Sequence, residues 1–196
     1  MDNTKILKFE ESWLERYPKY DAQLNFEKIL RGSRKHLDFG CRIGTFTKML
    51  AERFPHIQVH GFDIDKDAIK IANQRYNLTN LSFSADEKSM KKYDSISVFL
   101  VLHELVGDVN ECLKSLFDHL NKNGIIIIRD FRKRSRVKFK VWYDQCPYEG
   151  TFEEEYEEHN KWTIKEFRKM CEKASFKTIK SVSAGDYWLY YIGKKS

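Results

Sequence analysis

The run His36-Leu37-Asp38-Phe39-Gly40-Cys41-Arg42-Ile43-Gly44-Thr45-Phe46-Thr47 restricts the fold more than any other part of the chain. A short apolar segment leads into an acid and two spaced glycines, and a helical stripe of Phe46, Met49, Leu50 and Phe54 follows at once. That order spells strand, tight turn and helix start, the part of an α/β sheet where ligands bind. Glycine suits such a turn because the backbone bends sharply and must let a ligand come close. The helix start adds amide groups without helical partners.

The rest of the chain repeats the alternation. Residues 4–31 carry helical spacing through Trp13, Leu14, Tyr17, Leu24, Ile29 and Leu30, broken at Pro18, and read as two short helices before a strand near 35–40. A helix near 44–54 stops at Pro55. Ile57 to Asp63 alternates as a second strand, and Asp65 is placed to cap a helix over 66–76. Leu81 to Ala85 reads as the third strand and Ser95 to Phe99, opened by Asp94, as the fourth. The stripe Val109, Cys112, Leu113, Leu116, Phe117, Leu120 predicts a helix over 108–121 that ends at Asn123-Gly124. Gly124 to Ile128 is continuously apolar, which predicts a strand buried on both faces in the middle of a parallel sheet. Thr163 and Glu166 form a capping-box pattern for a helix over 164–174. Residues 176–182 and 187–192 flank a Ser183-Ala184-Gly185-Asp186 turn, an antiparallel hairpin at the sheet edge. The whole pattern predicts an N-terminal helical segment and a doubly wound α/β fold. Its mostly parallel seven-stranded sheet finishes in a C-terminal antiparallel hairpin.

At 196 residues, with 41% hydrophobic and 14% aromatic content, the chain suits one packed domain rather than a disordered segment. The net charge of +6 fits a lysine-rich surface as well as an anionic partner. The four cysteines form no C-x-x-C pair, so neither a zinc site nor a disulfide framework is indicated, and no metal is expected. The first residues lack the apolar run of a signal peptide, and no apolar stretch is long enough to cross a bilayer. A cytoplasmic chain with no membrane partner is the expectation. Oligomeric state is not legible here.

A dinucleotide fingerprint fails at the turn, because Arg42 and Thr45 stand where its second and third glycines belong. The spacing Asp38-x-Gly40-x-Arg42-x-Gly44 instead resembles the D-x-G-x-G-x-G turn of class I (Rossmann-like) S-adenosylmethionine-dependent methyltransferases, with Arg42 in place of the middle glycine. The resemblance covers roughly residues 35–130 by motif and 163–193 by layout. It implies a single methyltransferase domain over 1–196, made of a helical lid (1–34), a cofactor core (35–130), a substrate or lid insertion (131–162) and a terminal helix with hairpin (163–196). It also implies S-adenosyl-L-methionine as methyl donor and S-adenosyl-L-homocysteine as product.

The same resemblance distributes the donor over this chain. Gly40, Cys41, Arg42 and Gly44 form the loop around it. Asp63, about 20 residues after the turn, takes the ribose diol with Ile64 beside it, while Asp65 is left for capping. Ala85 and Asp86 match the adenine position, although Asp86 also reads as an exposed loop acid. Asp38 positions the methionine end or orients the turn by hydrogen bonds, two compatible roles. Tyr93 to Leu105 is similar to the family's fourth-strand motif, with the backbone at Phe99 and Leu100 facing the methionine part. His103 then stands either as a proton acceptor in the cleft or as a structural histidine among apolar neighbours. Arginine adopts positive φ only at a cost, so at Arg42 the turn either uses ordinary dihedrals or is altered, and its guanidinium has the reach for a carboxylate. Methyl transfer rests on alignment and exclusion of water, so no single catalytic residue is obligatory.

Residues 129–162 bear on the acceptor. Arg129, Arg132, Lys133, Arg134, Arg136, Lys138 and Lys140 interleave with aromatics, and Glu149, Glu153, Glu154, Glu155, Glu157 and Glu158 follow. The basic run suits nucleic-acid phosphates and bases, or else forms a solvated helix paired with the acidic run, and the adjacent opposite charges favour pairing. No N-P-P-Y sequence follows the fourth strand. The expected acceptor is a small molecule. The alternatives are an RNA or tRNA methyltransferase using 129–140 and a non-catalytic binding protein that keeps the fold.

Overall fold

The structure is a computed structural model that describes residues 25–145 and 150–196. The elements in order are α1 (Phe26–Leu30), β1 (Lys35–Phe39), α2 (Thr45–Arg53), β2 (Gln58–Phe62), α3 (Lys66–Arg75), β3 (Leu81–Ser84), a 3-10 turn (Glu87–Ser89) and β4 (Tyr93–Phe99). Then come α4 (Val109–His119), β5 (Leu120–Phe131), α5 (Arg136–Tyr143), α6 (Phe152–His159), α7 (Ile164–Lys173), β6 (Lys177–Ala184) and β7 (Trp188–Lys194). The strands form one seven-stranded sheet in the order β3-β2-β1-β4-β5-β7-β6. The N-terminal pattern before residue 25 lies outside the described residues, as do Cys146, Tyr148 and Glu149.

The chain divides into two compact units, one running up to Ser97 and taking in His119–Asn121, the other made of Val98–Asp118 and Lys122–Ser196. In the first, β1 pairs parallel with β2 and β2 parallel with β3. Helix α2 turns Thr47, Leu50 and Ala51 inward, the i, i+3, i+4 stripe of a core-facing helix. Leu37, Ile57, Val59, Ala72 and Ile96 are buried with them. Asp65 caps α3 as expected, accepting from the Asp67 and Ala68 amides at 2.9 and 3.1 Å.

In the second unit β7 runs antiparallel to both β5 and β6. Helix α7 opens with the expected capping box of Thr163 and Glu166 and packs on the hairpin through Phe167 and Cys171. Helices α5 and α6 pack together over Phe131, Phe139 and Trp142.

Two expectations are corrected. Ile126, Ile127 and Ile128 are fully buried, but β5 has the antiparallel β7 on one side, so it is not flanked by parallel strands on both sides. A continuous apolar run reports two covered faces and says nothing of a neighbour's direction. Asn123-Gly124 does not end the preceding helix either. Helix α4 ends at His119, and Asn123, at φ 66°, is a left-handed kink inside β5 whose amide donates to the Lys195 carbonyl at 2.9 Å. No helix among the described residues is long and apolar enough to cross a membrane.

Candidate functional site

Register builds the candidate site. Phe39, Phe62 and Ser84 pair across β1, β2 and β3 at the strands' C-terminal ends. The residues that follow them, Gly40, Asp63 and Ala85, therefore leave the sheet side by side, at the edge where open α/β sheets bind ligands. The loop after β1 is pinned to β2, because the Gly40 and Cys41 amides both donate to the Phe62 carbonyl, at 2.8 and 3.0 Å. Gly40, Arg42 and Gly44 all have positive φ, of 77°, 48° and 80°. Arg42 thus adopts the left-handed conformation that ordinarily favours glycine.

Asp63 closes the loop. Its Oδ2 accepts from the Arg42 amide at 2.7 Å and its Oδ1 from the Asp65 amide at 3.0 Å. The carboxylate is partly exposed and keeps a second lone pair on each oxygen, which fits a vicinal diol. Beside it Ile64 is 85% exposed. After β3, the Asp86 amide donates to the Ser84 hydroxyl at 3.0 Å, and its exposed carboxylate accepts from the Lys88 amide at 3.0 Å, capping the 3-10 turn. The ring of Phe83 backs the loop, and a side chain at Gly44 or Gly61 would collide with it.

Asp38 is buried, at 3% exposure. It accepts from the Thr47 and Ser97 hydroxyls, each at 2.7 Å. Burial pushes its carboxyl up to about 6, against those two hydrogen bonds and with the charge of Asp63 adding to the rise. The network continues to His36, whose Nε2 lies 2.9 Å from the Ser97 hydroxyl and whose Nδ1 lies 2.8 Å from that of Ser95. Burial pulls His36 down to about 3, so the ring is neutral. Burial likewise holds the Cys41 thiol protonated. Thr47, Ser95, Ser97 and His36 join the site without being singled out in the sequence. The available signal was Ser95-x-Ser97 in a strand whose intervening residues are apolar.

The remaining predicted residues lie in the second unit. Phe99 ends β4, and Leu100, at φ 59°, donates its amide to the Arg129 carbonyl at 2.9 Å. His103 is buried at 3% exposure, with Nδ1 2.8 Å from Asp130 Oδ1 and the Phe131 ring edge-on to it. Burial opposes its charge, but the Asp130 carboxylate outweighs burial, Glu104 adds to it, and His103 is pushed up to about 9. A histidine charged at neutral pH makes a poor general base. Asp130 also accepts from the Leu102 and Phe131 amides, at 3.0 and 2.7 Å, so it braces the segment after β4. His159, with its ring centre 4.8 Å from that of His103, is pulled down to about 4 by burial and by the His103 charge.

The basic run is largely engaged within the protein. Arg136 forms a two-pronged pair with Glu153, Lys138 with Asp186 at 2.9 Å, and Lys140 pairs with Asp144. Arg134 is buried with its guanidinium 4.6 Å from the Trp142 ring centre and 4.9 Å from that of Tyr187, and Arg129 is buried 4.2 Å from that of Trp188. On α6, ligand-type atoms of Glu155, Glu158 and His159 lie within 4.8 Å of one another, with His159 Nδ1 turned to the Glu155 carbonyl at 3.1 Å.

The chain is similar to known proteins. A family model described as a methyltransferase domain matches residues 12–181. Malonyl-(acyl-carrier protein) O-methyltransferase of Acetivibrio thermocellus is 26% identical over 171 residues, 80% of this chain and 59% of the relative. Trans-aconitate 2-methyltransferase of Agrobacterium fabrum is 29% identical over 153 residues, 76% of this chain and 58% of the relative. The chain thus spans under two thirds of either relative's length. Among solved structures, the plantazolicin methyltransferase BpumL in complex with a monoazolic desmethylPZN analog and SAH aligns over 100% of this chain and 90% of its own. The TM-score is 0.73 at 19% identity, a likeness of fold.

Proposed function

Because the chain belongs to the methyltransferase-domain family, we propose that it transfers a methyl group from S-adenosylmethionine to a small-molecule acceptor by direct displacement. The observation that carries this reading is the in-register exit of Gly40, Asp63 and Ala85 from three adjacent parallel strands, with the loop amide of Arg42 fixed to the Asp63 carboxylate. That arrangement suits the donor part by part. The loop of Asp38, Gly40, Cys41, Arg42 and Gly44 offers close backbone approach, Asp63 with Ile64 takes the ribose diol, and Asp86 after Ala85 takes the adenine amine.

The donor supplies a methyl carbon already activated by positive sulfur. The chain's own part is to bind, align and exclude water. His103 serves as a positioning residue, since its Asp130 partner keeps it charged and braces the segment after β4. Lys161 supports the same segment by donating to the His103 carbonyl at 2.5 Å. A small acceptor fits better than a polyanion because Arg136, Lys138 and Lys140 are engaged by carboxylates of the protein.

The test incubates the protein with S-adenosylmethionine and four acceptor classes, namely carboxylates led by trans-aconitate and malonyl thioesters, phenols, amines, and an RNA oligonucleotide. Release of S-adenosylhomocysteine is followed in each. Turnover with a small molecule is the expected result. Turnover with RNA alone, steeply weakened by salt, would move the reading to nucleic acid. Donor binding without turnover on any class would favour a non-catalytic binding protein.

A further inference from the structure

Asp38 and Thr47 stand on either side of the donor loop, Asp38 just before Gly40 and Thr47 just after Gly44 in the first turn of α2. The 2.7 Å bond from the Thr47 hydroxyl to Asp38 Oδ2 closes the base of the loop, while the Arg42–Asp63 bond holds its tip. A third element, β4, reaches the same carboxylate through Ser97, and His36 stands behind Ser97. Thr47, Ser97, Ser95 and His36 are all fully buried. Apolar side chains at these places would avoid the cost of burying polar groups, so a wholly buried relay that converges on the loop base calls for a reason beyond packing.

Hydrogen positions follow from the heavy-atom network. An ionised Asp38 only accepts, so Thr47 and Ser97 both donate to it. Ser97 then accepts from His36 Nε2–H, and His36 Nδ1 accepts from the Ser95 hydroxyl. Every proton is used once, and the dipoles of the chain point at the carboxylate.

We propose that Thr47, Ser97 and His36 are positioning residues for donor binding, acting through Asp38 to hold the loop at 40–44 in one shape. The inference rests on the donor site put forward above and identifies what keeps that site in form.

A pH dependence follows. The titratable groups that face Asp38 are His36 on its own strand, Cys41 in the loop and Asp63 at the end of β2. His36, pulled down to about 3, and the raised Cys41 thiol are both neutral near pH 6. Asp38, pushed up to about 6, takes a proton there. The protonated group must donate, so one of its two hydroxyl donors has to turn away or the whole relay has to reverse. The loop base loosens, and donor affinity falls as pH drops through about 6.

The experiment is calorimetric titration with S-adenosylhomocysteine over roughly pH 5 to 8, with a melting temperature for every variant. Thr47→Val keeps the shape and removes the hydroxyl. It should weaken binding about tenfold above the transition, the scale of one lost hydrogen bond to a charged group, while Thr47→Ser restores affinity. Ser97→Ala should weaken binding and move the pH midpoint upward, because a hydrogen bond that stabilises the ionised form is gone. His36→Gln provides a third variant should Thr47→Val not fold, and it too should weaken binding. Variants with lower melting temperatures but unchanged affinity and pH midpoint would overturn the inference and leave the donor site standing. A wild type that binds no S-adenosylhomocysteine at any pH would overturn both.

Discussion

Arg42 carries the departure from the family's turn, and its backbone takes the left-handed conformation there. At φ 48° it occupies a region that costs an ordinary residue about 1–2 kcal/mol, held there by the Asp63 bond to its amide and by the adjoining Cys41 amide on Phe62. Arg42→Gly should therefore stabilise the protein by about 1 kcal/mol, offset in part by the greater freedom of glycine in the unfolded chain. It should leave donor binding intact. A urea titration monitored by fluorescence reads the difference, and a destabilised variant would mean that the arginine side chain makes a contact the loop depends on. The sequence posed this position as a choice between ordinary dihedrals and an altered loop. The positive φ excludes ordinary dihedrals, and it is held by hydrogen bonds that the loop amides donate to the Phe62 carbonyl and the Asp63 carboxylate, about 20 positions further on.

At the scale of elements, three strand ends in register line the candidate site, and the Phe83 ring of β3 lies close against Gly44 and Gly61. A Cβ on Gly61 would stand 2.5 Å from the Phe83 ring and 2.9 Å from Cys41 Sγ. Gly61→Ala should force that ring toward the donor loop and cost about 1–3 kcal/mol, the usual range for overpacking, with weaker donor binding as a second reading. A variant of unchanged melting temperature and affinity would show that the ring moves freely. Many strands and helices were legible because their signals are local: alternation in β2, the cap at Asp65, the capping box at Thr163. The inward face of α2 was not, since Thr47 and Ala51 turn in with Leu50 while Phe46 and Met49 stay half-buried. Neither was the direction of β7 beside β5, since a run such as Ile125 to Ile128 reads alike next to either kind of neighbour. Nor was the Asp38 relay, whose members His36, Thr47, Ser95 and Ser97 meet only after folding and singly look like common polar residues. The partner of His103 was hidden for the same reason, since Asp130 lies 27 residues away.

For the whole molecule, buried ionisable groups set opposite limits on stability with pH. His103, raised to about 9 from 6.5, adds stability that is fully present below about pH 6.5 and is lost as pH rises through 9, an amount of about 3 kcal/mol. Melting temperature should accordingly fall between about pH 7 and 10, and His103→Gln should flatten that fall. A wild-type profile level across this range would contradict the charged, Asp130-paired histidine. His36 and His159, lowered to about 3 and about 4, act in the other sense, adding stability above pH 6.5 that is lost as pH falls toward those values. Asp38 partly opposes them, since its raised carboxyl favours the folded state below about 6. Donor binding is tested first by calorimetric titration of the purified chain with S-adenosylmethionine and S-adenosylhomocysteine, repeated on Asp63→Ala. Micromolar binding of both, on the order of 8 kcal/mol, and its loss in the variant are the expected result. No heat and no thermal stabilisation with either ligand, or full binding by Asp63→Ala, would contradict it.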